Sequence, residues 1–469
     1  MHEDTAKHLF TKTEAVLTTL VLLGLIGVCI IKLEAPPHVP ILLCTLLLIL
    51  IGFLKKVAWT TMEQGIMDGV RPGLIPIFIF LLIGALIGVW MASGTVPTMM
   101  LYGFSILSAD YFLPAALLIA AIVGTCIGSS LTTAATIGVA LMGMGNVMGI
   151  HPALVAGAVI SGAFFGDKMS PLSDTTNLAP TIARIDLFTH IRHMTWTTVP
   201  ALALSLLLFF LIGNGHAAPA SAVQVENLRL ALQQHSVIHP ASLIPPLLLL
   251  VLALRRVPAI PTLMAGILSG MLIAFWLSPG MTAGQMASIL QNGFVSKSGV
   301  EAIDSLLTRG GMQSMMFSVS LIFLSLSMGG LLYRLGIIYT LMDMVHGFID
   351  TRGRLIASTA LSAIGVNVLL GEQYLSIILP GNAFVQQYEK LGLARKNMSR
   401  VLEDAGTVVN PLVPWSVCGV FLTGVLGVPT VDYLPFAFFC LLSPLLTMVL
   451  GFTGIGVPKE QEDSMTKPM

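Results

Sequence analysis

A dense polar cluster ends a long apolar stretch of this chain, and its side chains are of the types that bind small cations. Between Arg71 and Lys168 the sequence has no other Lys or Arg, and Asp110 is the one acid ahead of the cluster. An ionised side chain at bilayer depth costs about 2.5 to 3.5 kcal/mol on insertion scales, so such groups are rarely without a function. The cluster therefore indicates an ion or substrate site. Its polar members are Asp167, Lys168, Ser170, Ser173, Asp174, Thr175, Thr176 and Asn177.

These side chains suit a cation bound at a broken helix. Pro171 lacks a backbone N–H and Gly166 adds backbone freedom, so the helix that begins near Pro152 is predicted to break there. A break exposes backbone carbonyls beside hydroxyl oxygens, and two aspartates add negative charge suited to Na+. The ion-binding residues predicted in this segment are Asp167, Ser170, Asp174 and Thr175, with Asp167 and Asp174 as the carboxylate ligands of Na+.

Other roles are open for some of these residues. Lys168 is expected to form an ion pair with Asp167 or Asp174 when no cation is bound. Asp174 is alternatively the N-cap of the helix that follows the break, a role that is compatible with ion binding.

A second polar group in the last third of the chain is predicted to complete the site. Glu403, Asp404 and Asn410 flank another glycine and proline, so a second broken helix would face the first. Glu372 lies inside a further apolar run. The alternatives are that Glu403 and Asp404 are solvated at a helix end and that Glu372 lies at an external interface.

Carboxylates at such a site can couple two ions without a covalent step. A buried carboxylate that binds either H+ or Na+ makes the two occupancies mutually exclusive, which couples their opposite movements. This chemistry requires no nucleophile, catalytic metal or cofactor. The sequence also has no HExxH or GxSxG motif and no soluble lobe for a nucleotide, so we expect a transporter and not an enzyme.

Transmembrane helices are the elements predicted to position these residues. The 469 residues are 55% hydrophobic and 10% charged, against about 25% charged in a soluble globular protein. The predicted fold class is an all-α polytopic membrane protein with about 12 to 14 transmembrane segments, which has membrane lipid as a partner. Residues 129–147 and 372–388 are alternatively re-entrant. The predicted spans are residues 14–31, 39–54, 72–92, 111–127, 129–147, 152–182, 195–213, 240–254, 258–278, 311–333, 353–371, 372–388, 398–427 and 430–452.

Basic residues indicate how these spans are oriented. Every cluster of Lys and Arg falls on one side, which is cytoplasmic by the positive-inside rule, and both termini then face the cytoplasm. His190 and His193 are predicted to lie in a solvated basic loop, with a cytoplasmic pH sensor as the alternative. A net charge of zero gives no reason to expect nucleic acid as a partner, and a homodimer is left open. The clusters are Lys7 and Lys12, Lys55 and Lys56, Arg184 and Arg192, Arg255 and Arg256, Arg352 and Arg354, and Lys390, Arg395, Lys396 and Arg400.

Glycines recur at a nearly constant offset and suggest an internal repeat. The offsets are 242, 243 and 240 residues, with chance spacing as the alternative. We interpret residues 72–182 and 311–427 as two copies of one unit, and the second is inverted because the copies start an odd number of spans apart. Residues 1–71 are then N-terminal spans, 183–310 connecting spans with an external loop, and 428–469 the last span and a cytoplasmic tail. The recurring pairs are Gly88 and Gly94 with Gly330 and Gly336, Gly128 and Gly138 with Gly371 and Gly381, and Gly166 with Gly406.

Two strings in these copies resemble a known family. GDKMSPLSDTTNLAP and LEDAGTVVNPLVPW are similar to the NhaC-type Na+/H+ antiporter family, which includes exchangers of malate against lactate. The resemblance covers residues 10–455. It implies an inverted-repeat fold that exchanges cytoplasmic Na+ for external H+ in a bacterial inner membrane. The positions matched in the two strings are Asp167, Ser170, Asp174, Thr175, Glu403, Asp404, Asn410 and Pro411.

The runner-up function keeps this architecture and changes the cargo to small organic acids. A buried arginine would normally bind a carboxylate through two hydrogen bonds, and both copies lack an arginine in the core of their spans. This favours inorganic cations, although the N-terminus of a half-helix can also bind a carboxylate.

Overall fold

Helices make up the fold of the part of the chain that can be described. The computed structural model describes residues 9–106, 111–216, 222–346 and 349–460. In those ranges β structure is limited to two isolated bridges. Helices are expected here because a backbone in lipid must satisfy its polar groups within the segment. The all-α prediction is confirmed, whereas Lys7, Asp110 and the last residues of the predicted tail lie outside the described residues.

The first part of the chain forms helices up to the long connecting region, several of them interrupted by 3-10 or π turns. Their bounds are Lys12–Gly27, His38–Leu54, Trp59–Val70, Leu74–Ala92, Thr95–Ile106, Phe112–Ile127, Ser130–Thr133, Val139–Val147, Pro152–Met169, Asp174–Ala183, Leu187–His216, Ala222–His235 and Ile244–Leu254.

The remaining helices run from the middle of the chain to its end. Their bounds are Ala259–Leu277, Ala283–Asn292, Glu301–Leu307, Met316–Arg334, Ile337–His346, Arg352–Leu370, Gln373–Lys390, Arg395–Leu402, Val417–Leu426, Thr430–Tyr433 and Phe438–Thr453.

Seven helices among the described residues are long and apolar enough to cross a membrane, or ten if each of three bent helix pairs is one span. Others are apolar but shorter, such as His38–Leu54 and Phe112–Ile127. The protein is therefore a polytopic membrane protein, and the count of 12 to 14 segments stays a prediction. The span predicted at 72–92 begins earlier, because Trp59–Val70 joins it through a 3-10 turn at Arg71–Gly73. A proline is accepted at the start of a helix, so Pro72 does not end this one.

Two helical hairpins bring chain turns into the interior of the protein. The first hairpin (residues 112–147) turns at Gly128, and the second (residues 352–390) turns at Gly371. Both glycines adopt the left-handed conformation, with φ of 71° and 68°. This conformation costs a residue with a Cβ about 1–2 kcal/mol, which explains the glycine at each tip. The matching turns agree with the predicted repeat, which stays a prediction.

Glycines also allow two helices to touch at their backbones. A Cβ atom on Gly69 would lie 2.6 Å from the Cα atom of Gly330, and Gly65 lies one turn earlier on the same face. This small-residue spacing lets helix backbones approach closely in a membrane. The helices Trp59–Val70 and Met316–Arg334 therefore form one tightly packed pair beside the second hairpin.

Polar contacts gather several predicted cytoplasmic residues at one end of the molecule. Lys12 lies 3.7 Å from Asp343, and Lys55 forms an ion pair of 2.8 Å with Glu14. The cytoplasmic assignment of this face, called the basic face below, stays a prediction.

The sequence-based placement of two histidines is wrong. His190 and His193 are buried in the helix Leu187–His216 and do not lie in a solvated loop. His190 Nδ1 lies 2.9 Å from Ser399 Oγ, and His193 Nε2 lies 3.1 Å from Asn397 Oδ1. The loop prediction failed because one face of this helix packs against the segment that follows the second hairpin.

Candidate functional site at two broken helices

The first predicted helix break is confirmed. The helix Pro152–Met169 ends in an interruption at residues 170–173, the first break, and the chain resumes as Asp174–Ala183. Ser173 caps the second helix, because its hydroxyl accepts a hydrogen bond from Thr176 N. The alternative role of Asp174 as the N-cap is therefore wrong, and Asp174 follows the cap on the protein surface.

A hydroxyl also ties the two halves of this helix together. Thr176 Oγ1 donates to the backbone oxygens of Asp167 and Lys168, at 3.2 and 3.1 Å. Carbonyls near the end of a helix lack a partner within the helix, so this contact satisfies them across the break. The break is a fixed turn, and it holds the last turn of the helix, with Asp167 and Lys168, in place.

The second polar group lies at another broken helix. Arg395–Leu402 continues through a π turn at Glu403–Thr407 and a 3-10 turn at Asn410–Leu412. The chain is interrupted at residues 413–416, the second break, and the direction changes by 46° before Val417–Leu426. Glu403 and Asp404 have no exposed surface, so their interpretation as solvated residues at a helix end is wrong. A π turn of this kind often marks a functional site.

Side chains from the two broken helices meet. Thr175 Oγ1 donates to Glu403 Oε1 at 3.1 Å, and it also lies 3.2 Å from Ser173 Oγ. The carboxyl groups of Asp167 and Glu403 are near enough to interact electrostatically. The structure therefore brings Asp167, Thr175 and Glu403 into one buried group.

Lys168 forms a buried ion pair with Asp404, and both side chains have no exposed surface. The expectation that Lys168 pairs with Asp167 or Asp174 is wrong. Thr197, in the helix Leu187–His216, donates a further hydrogen bond of 3.1 Å to Asp404 Oδ1. The pair is electrically neutral and joins the two broken helices to a third element.

Asp167 receives a hydroxyl donor from the first hairpin. Ser130 Oγ donates to Asp167 Oδ2 at 2.6 Å, and the Asp167 side chain is 6% exposed. Its position follows from close helix packing, because a Cβ atom on Gly166 would lie 2.5 Å from the backbone N of Thr125. Within the described ranges Asp167 and Glu403 form no ion pair, in contrast to Asp404.

Two other predicted ligands are engaged by the backbone or by amides. Ser170 Oγ accepts from Leu172 N at 3.3 Å inside the first break. Asn410 Nδ2 donates to Asn367 Oδ1 at 2.8 Å, and Asn410 Oδ1 accepts from Cys418 N at 2.9 Å. These contacts fix the shape of the two breaks, and they occupy the side-chain oxygen that Asn410 would offer to an ion.

Glu372 lies at the tip of the second hairpin. Its side chain is 3% exposed, and Oε2 accepts from Leu375 N at 2.8 Å, so the placement at an external interface is wrong. The tip adjoins the second break, where Val417 N donates to Gly371 O at 2.9 Å.

The local sequence gave no signal for the role of Thr197 or for the partner of Lys168, because both contacts join residues more than 200 positions apart.

Several oxygens in this buried group are free to take a ligand. Glu403 Oε2 and Asp404 Oδ2 are buried and have no hydrogen-bond partner among the described residues. Asp404 is compensated by Lys168, whereas an ionised Glu403 without compensation would be costly to bury, so a proton or a cation is expected beside Glu403. Three or more His, Cys, Asp or Glu side chains do not converge anywhere in the described ranges in the manner of a transition-metal site. Carboxylate and hydroxyl oxygens instead suit a hard cation.

The segment that carries both breaks matches a family model. The model, described as the Na+/H+ antiporter family, matches residues 162–455, which is more than half of the chain. The chain belongs to the Na+/H+ antiporter family. It is 49% identical to the Na+/H+ antiporter NhaC of Alkalihalophilus pseudofirmus over 447 residues, which are 94% of this chain and 96% of that protein.

Two relatives in Bacillus subtilis carry different names. The Na+/H+ antiporter NhaC of that organism is 43% identical, over 90% of this chain and 94% of the relative. Its malate-2H+/Na+-lactate antiporter is 34% identical, over 95% of both chains. The resemblance seen in the two sequence strings is thereby confirmed at the level of the family.

Proposed function

We propose that this protein is a secondary antiporter that exports Na+ in exchange for H+. The observation that carries the proposal is Glu403, whose Oε2 is fully buried without a partner among the described residues while Oε1 accepts from Thr175. The relatives named NhaC support the same activity. A proton on Glu403, or Na+ beside it, would each offset the cost of burying its charge.

The charges around the site separate two kinds of carboxylate. Asp404 is neutralised by Lys168, so its charge is balanced whether or not a cation is present. Asp167 and Glu403 have no basic partner in the described residues, so their charges need H+ or Na+. We propose that these two acids carry the exchange, with Ser130 and Thr175 as hydroxyl ligands. Asp174, at the surface beside the break, is proposed to guide cations towards them.

Competition for the same oxygens would couple the two ions. Na+ at Asp167 and Glu403 excludes the protons that neutralise them, and protonation removes the charge that attracts Na+. Because each ion would leave on the side opposite to the other, the breaks must be exposed to the two sides in turn. We propose that the two halves of the repeat provide this alternation, in a bacterial inner membrane with both termini in the cytoplasm.

Exchange of small organic acids is the second candidate. The malate-2H+/Na+-lactate antiporter among the relatives supports it. The argument against it from missing arginines is wrong, because Arg400 lies fully buried one turn before Asp404. Arg400 Nη1 donates to Gly456 O at 2.7 Å, but Arg400 Nε and Nη2 are buried without a hydrogen-bond partner among the described residues, so the contacts of this arginine do not decide between the two cargoes. Lys168 is occupied by Asp404. We retain Na+ as the first candidate because the relatives named NhaC are 49% and 43% identical to this chain, against 34% for the malate-2H+/Na+-lactate antiporter.

Proton flux in reconstituted vesicles tests this proposal. We would add Na+, Li+, K+, or malate with lactate, and follow the internal pH for the wild type and for Glu403→Gln. Glu389→Gln is the matched control, because Glu389 is a surface acid that pairs with Arg395. Na+ alone should move protons in the wild type and in the control but not in Glu403→Gln, while Asp174→Asn should only weaken Na+ binding. If protons move only when malate and lactate are supplied, the protein is an organic acid exchanger and the Na+/H+ proposal is wrong.

A further inference from the structure

A cavity of about 160 Å³ lies beside the second hairpin, outside the group of Asp167 and Glu403. It is lined by residues of the tightly packed helices Trp59–Val70 and Met316–Arg334, of the turn that follows the first helix, and of the hairpin tip. Its volume is sufficient for several water molecules. Its walls contain an acid, a base and a phenol: Asp68, Arg334 and Tyr333.

One end of this cavity lies towards the basic face. Arg334 is the last residue of its helix, and its Nη2 donates to Gln64 Oε1 at 3.1 Å. Gln64 lies eight positions after Lys56. Asp68 is exposed, one turn further along the helix than Gln64. This end, the mouth, is therefore polar and carries one acid that can attract cations.

The other end of the cavity reaches the hairpin tip. Leu370 and Leu375 line it, and they lie on either side of Glu372 in the chain. Leu375 N donates to the Glu372 carboxylate, so a lining residue is in direct contact with that acid. The helix Met316–Arg334 packs closely against the tip at this point, because a Cβ atom on Gly329 would lie 3.0 Å from the Cα atom of Leu370.

Glu372 has the properties of a cation-binding group. It is 3% exposed, and no Lys or Arg of the described residues lies within ion-pair distance of it. An acid at membrane depth is rarely retained without a function. The cavity beside it is large enough for water, and Asp68, Tyr333 and Arg334 provide polar partners for water on its otherwise mostly apolar walls. The corresponding residue at the first tip is Ser129, which has no charge. The acid is therefore a property of one hairpin and is not required by the shape of the tip.

We propose that this cavity is an aqueous route from the basic face to Glu372, which forms a second cation site at the tip of the second hairpin. Asp68 stands at the mouth of the route and Glu372 at its end. The identity of the cation as Na+ rests on the function proposed above, and the basic face is cytoplasmic by the orientation proposed there.

Cysteine accessibility tests the route independently of transport. In a variant without the five native cysteines we would introduce Leu375→Cys at the inner end and Tyr333→Cys at the mouth. The reference positions are Lys390→Cys, an exposed residue of a cluster predicted to be cytoplasmic, and Gly280→Cys in the turn after Ala259–Leu277, where a Cβ atom meets nothing within 4 Å. A membrane-impermeant cationic thiol reagent would be applied from either side of the membrane.

The expected result is that Leu375→Cys reacts from the same side as Lys390→Cys and that Na+ slows its reaction. Glu372→Gln should abolish this protection by Na+ and raise the KM for Na+ by about tenfold, and Glu372→Asp should restore part of both. Reaction of Tyr333→Cys without Leu375→Cys would overturn the proposal, as would reaction from the side of Gly280→Cys. Unchanged protection in Glu372→Gln would overturn the role of Glu372.

Failure of the proposed function would give a different pattern. If the cargo is not Na+, Leu375→Cys still reacts from the basic face, and protection appears with Li+, K+ or an organic acid in place of Na+. If the chain does exchange Na+ but the route is absent, proton flux persists while Leu375→Cys stays unreactive from both sides.

Discussion

The two hairpin tips share a backbone conformation but differ in chemistry. Gly128 and Gly371 both adopt the left-handed conformation, and each is followed by an extended residue that caps the next helix. The capping side chain accepts an N–H three residues on, at 3.3 Å for Ser129 and 2.8 Å for Glu372. Each tip also contacts a helix break. The same backbone turn therefore occurs at both tips, whereas the capping side chain is a hydroxyl at the first tip and a carboxylate at the second.

The two breaks beside these tips also differ in the contacts that their side chains make. At the first break, Asp167, Lys168 and Thr175 each contact a residue from a distant part of the chain. At the second break, Asn410 forms hydrogen bonds with Asn367 and with Cys418 N of the next helix. These hydrogen bonds hold its own segment in place. We infer that the first broken helix supplies Asp167 and Thr175 and the second supplies Glu403, while Asn410 keeps the second break in its shape. The following predictions test this division, from the largest expected effect to the smallest.

Removal of the Lys168 charge should cause the largest loss of stability among these variants. Lys168→Met leaves Asp404 buried without its ion partner, and loss of one member of a buried pair typically costs about 3–5 kcal/mol. Thermal unfolding of the purified protein would measure the loss. The double variant Lys168→Met with Asp404→Leu is expected to recover much of the stability, because it removes both charges. Equal stability of the single and double variants would contradict the view that the unpaired charge causes the loss.

Alanine substitution at the two tip glycines should lower the stability of the protein by different amounts, because the atoms around the two tips differ. A Cβ atom on Gly128 would lie 2.6 Å from the Leu172 Cβ atom, whereas the nearest atom to one on Gly371 is Trp415 O at 3.2 Å. Both variants carry the strain of a left-handed alanine, about 1–2 kcal/mol. Gly128→Ala adds a clash with the first break and is expected to lose about 1–3 kcal/mol more.

Unfolding of both variants under identical conditions measures this difference. Gly365→Ala is a control, because a Cβ atom there meets nothing within 4 Å and its backbone is helical. A larger loss for Gly371→Ala than for Gly128→Ala would reverse the order that the contacts predict.

Asn410→Ala tests whether the second break is held by its amides. The change leaves Cys418 N and Asn367 Oδ1 without the partners that Asn410 provides, at about 1–3 kcal/mol for each buried group. Stability should fall, while the KM for Na+ in the folded fraction should stay near its wild-type value. A higher KM with unchanged stability would instead make Asn410 an ion ligand, as the sequence suggested.

Local features were predictable from the sequence, and contacts between distant segments were not. Pro171 with Gly166 located the first break correctly, because a missing donor and a flexible residue act on the helix in which they occur. The partner of Lys168 could not be predicted, since Asp404 lies 236 positions away. The helix Trp59–Val70 was missed because Glu63 and Asp68 lower its hydropathy. The hydrogen bonds of Asn410 could not be predicted, because spacing does not show which groups hold its amide.

Thr175→Val should have the smallest effect and tests the link between the two breaks. Valine has nearly the shape of threonine but cannot donate the 3.1 Å hydrogen bond to Glu403 Oε1. A hydrogen bond to a charged group contributes about 1.5–3 kcal/mol and one to a neutral group about 1 kcal/mol. Because the contact matters most when Glu403 is ionised beside Na+, the KM for Na+ should rise by about three- to tenfold. Thr447→Val is the matched control, since Thr447 Oγ1 is buried without a partner among the described residues. If both variants bind Na+ alike, the hydroxyl of Thr175 only fills space and the first break supplies fewer ligands than its contacts indicate.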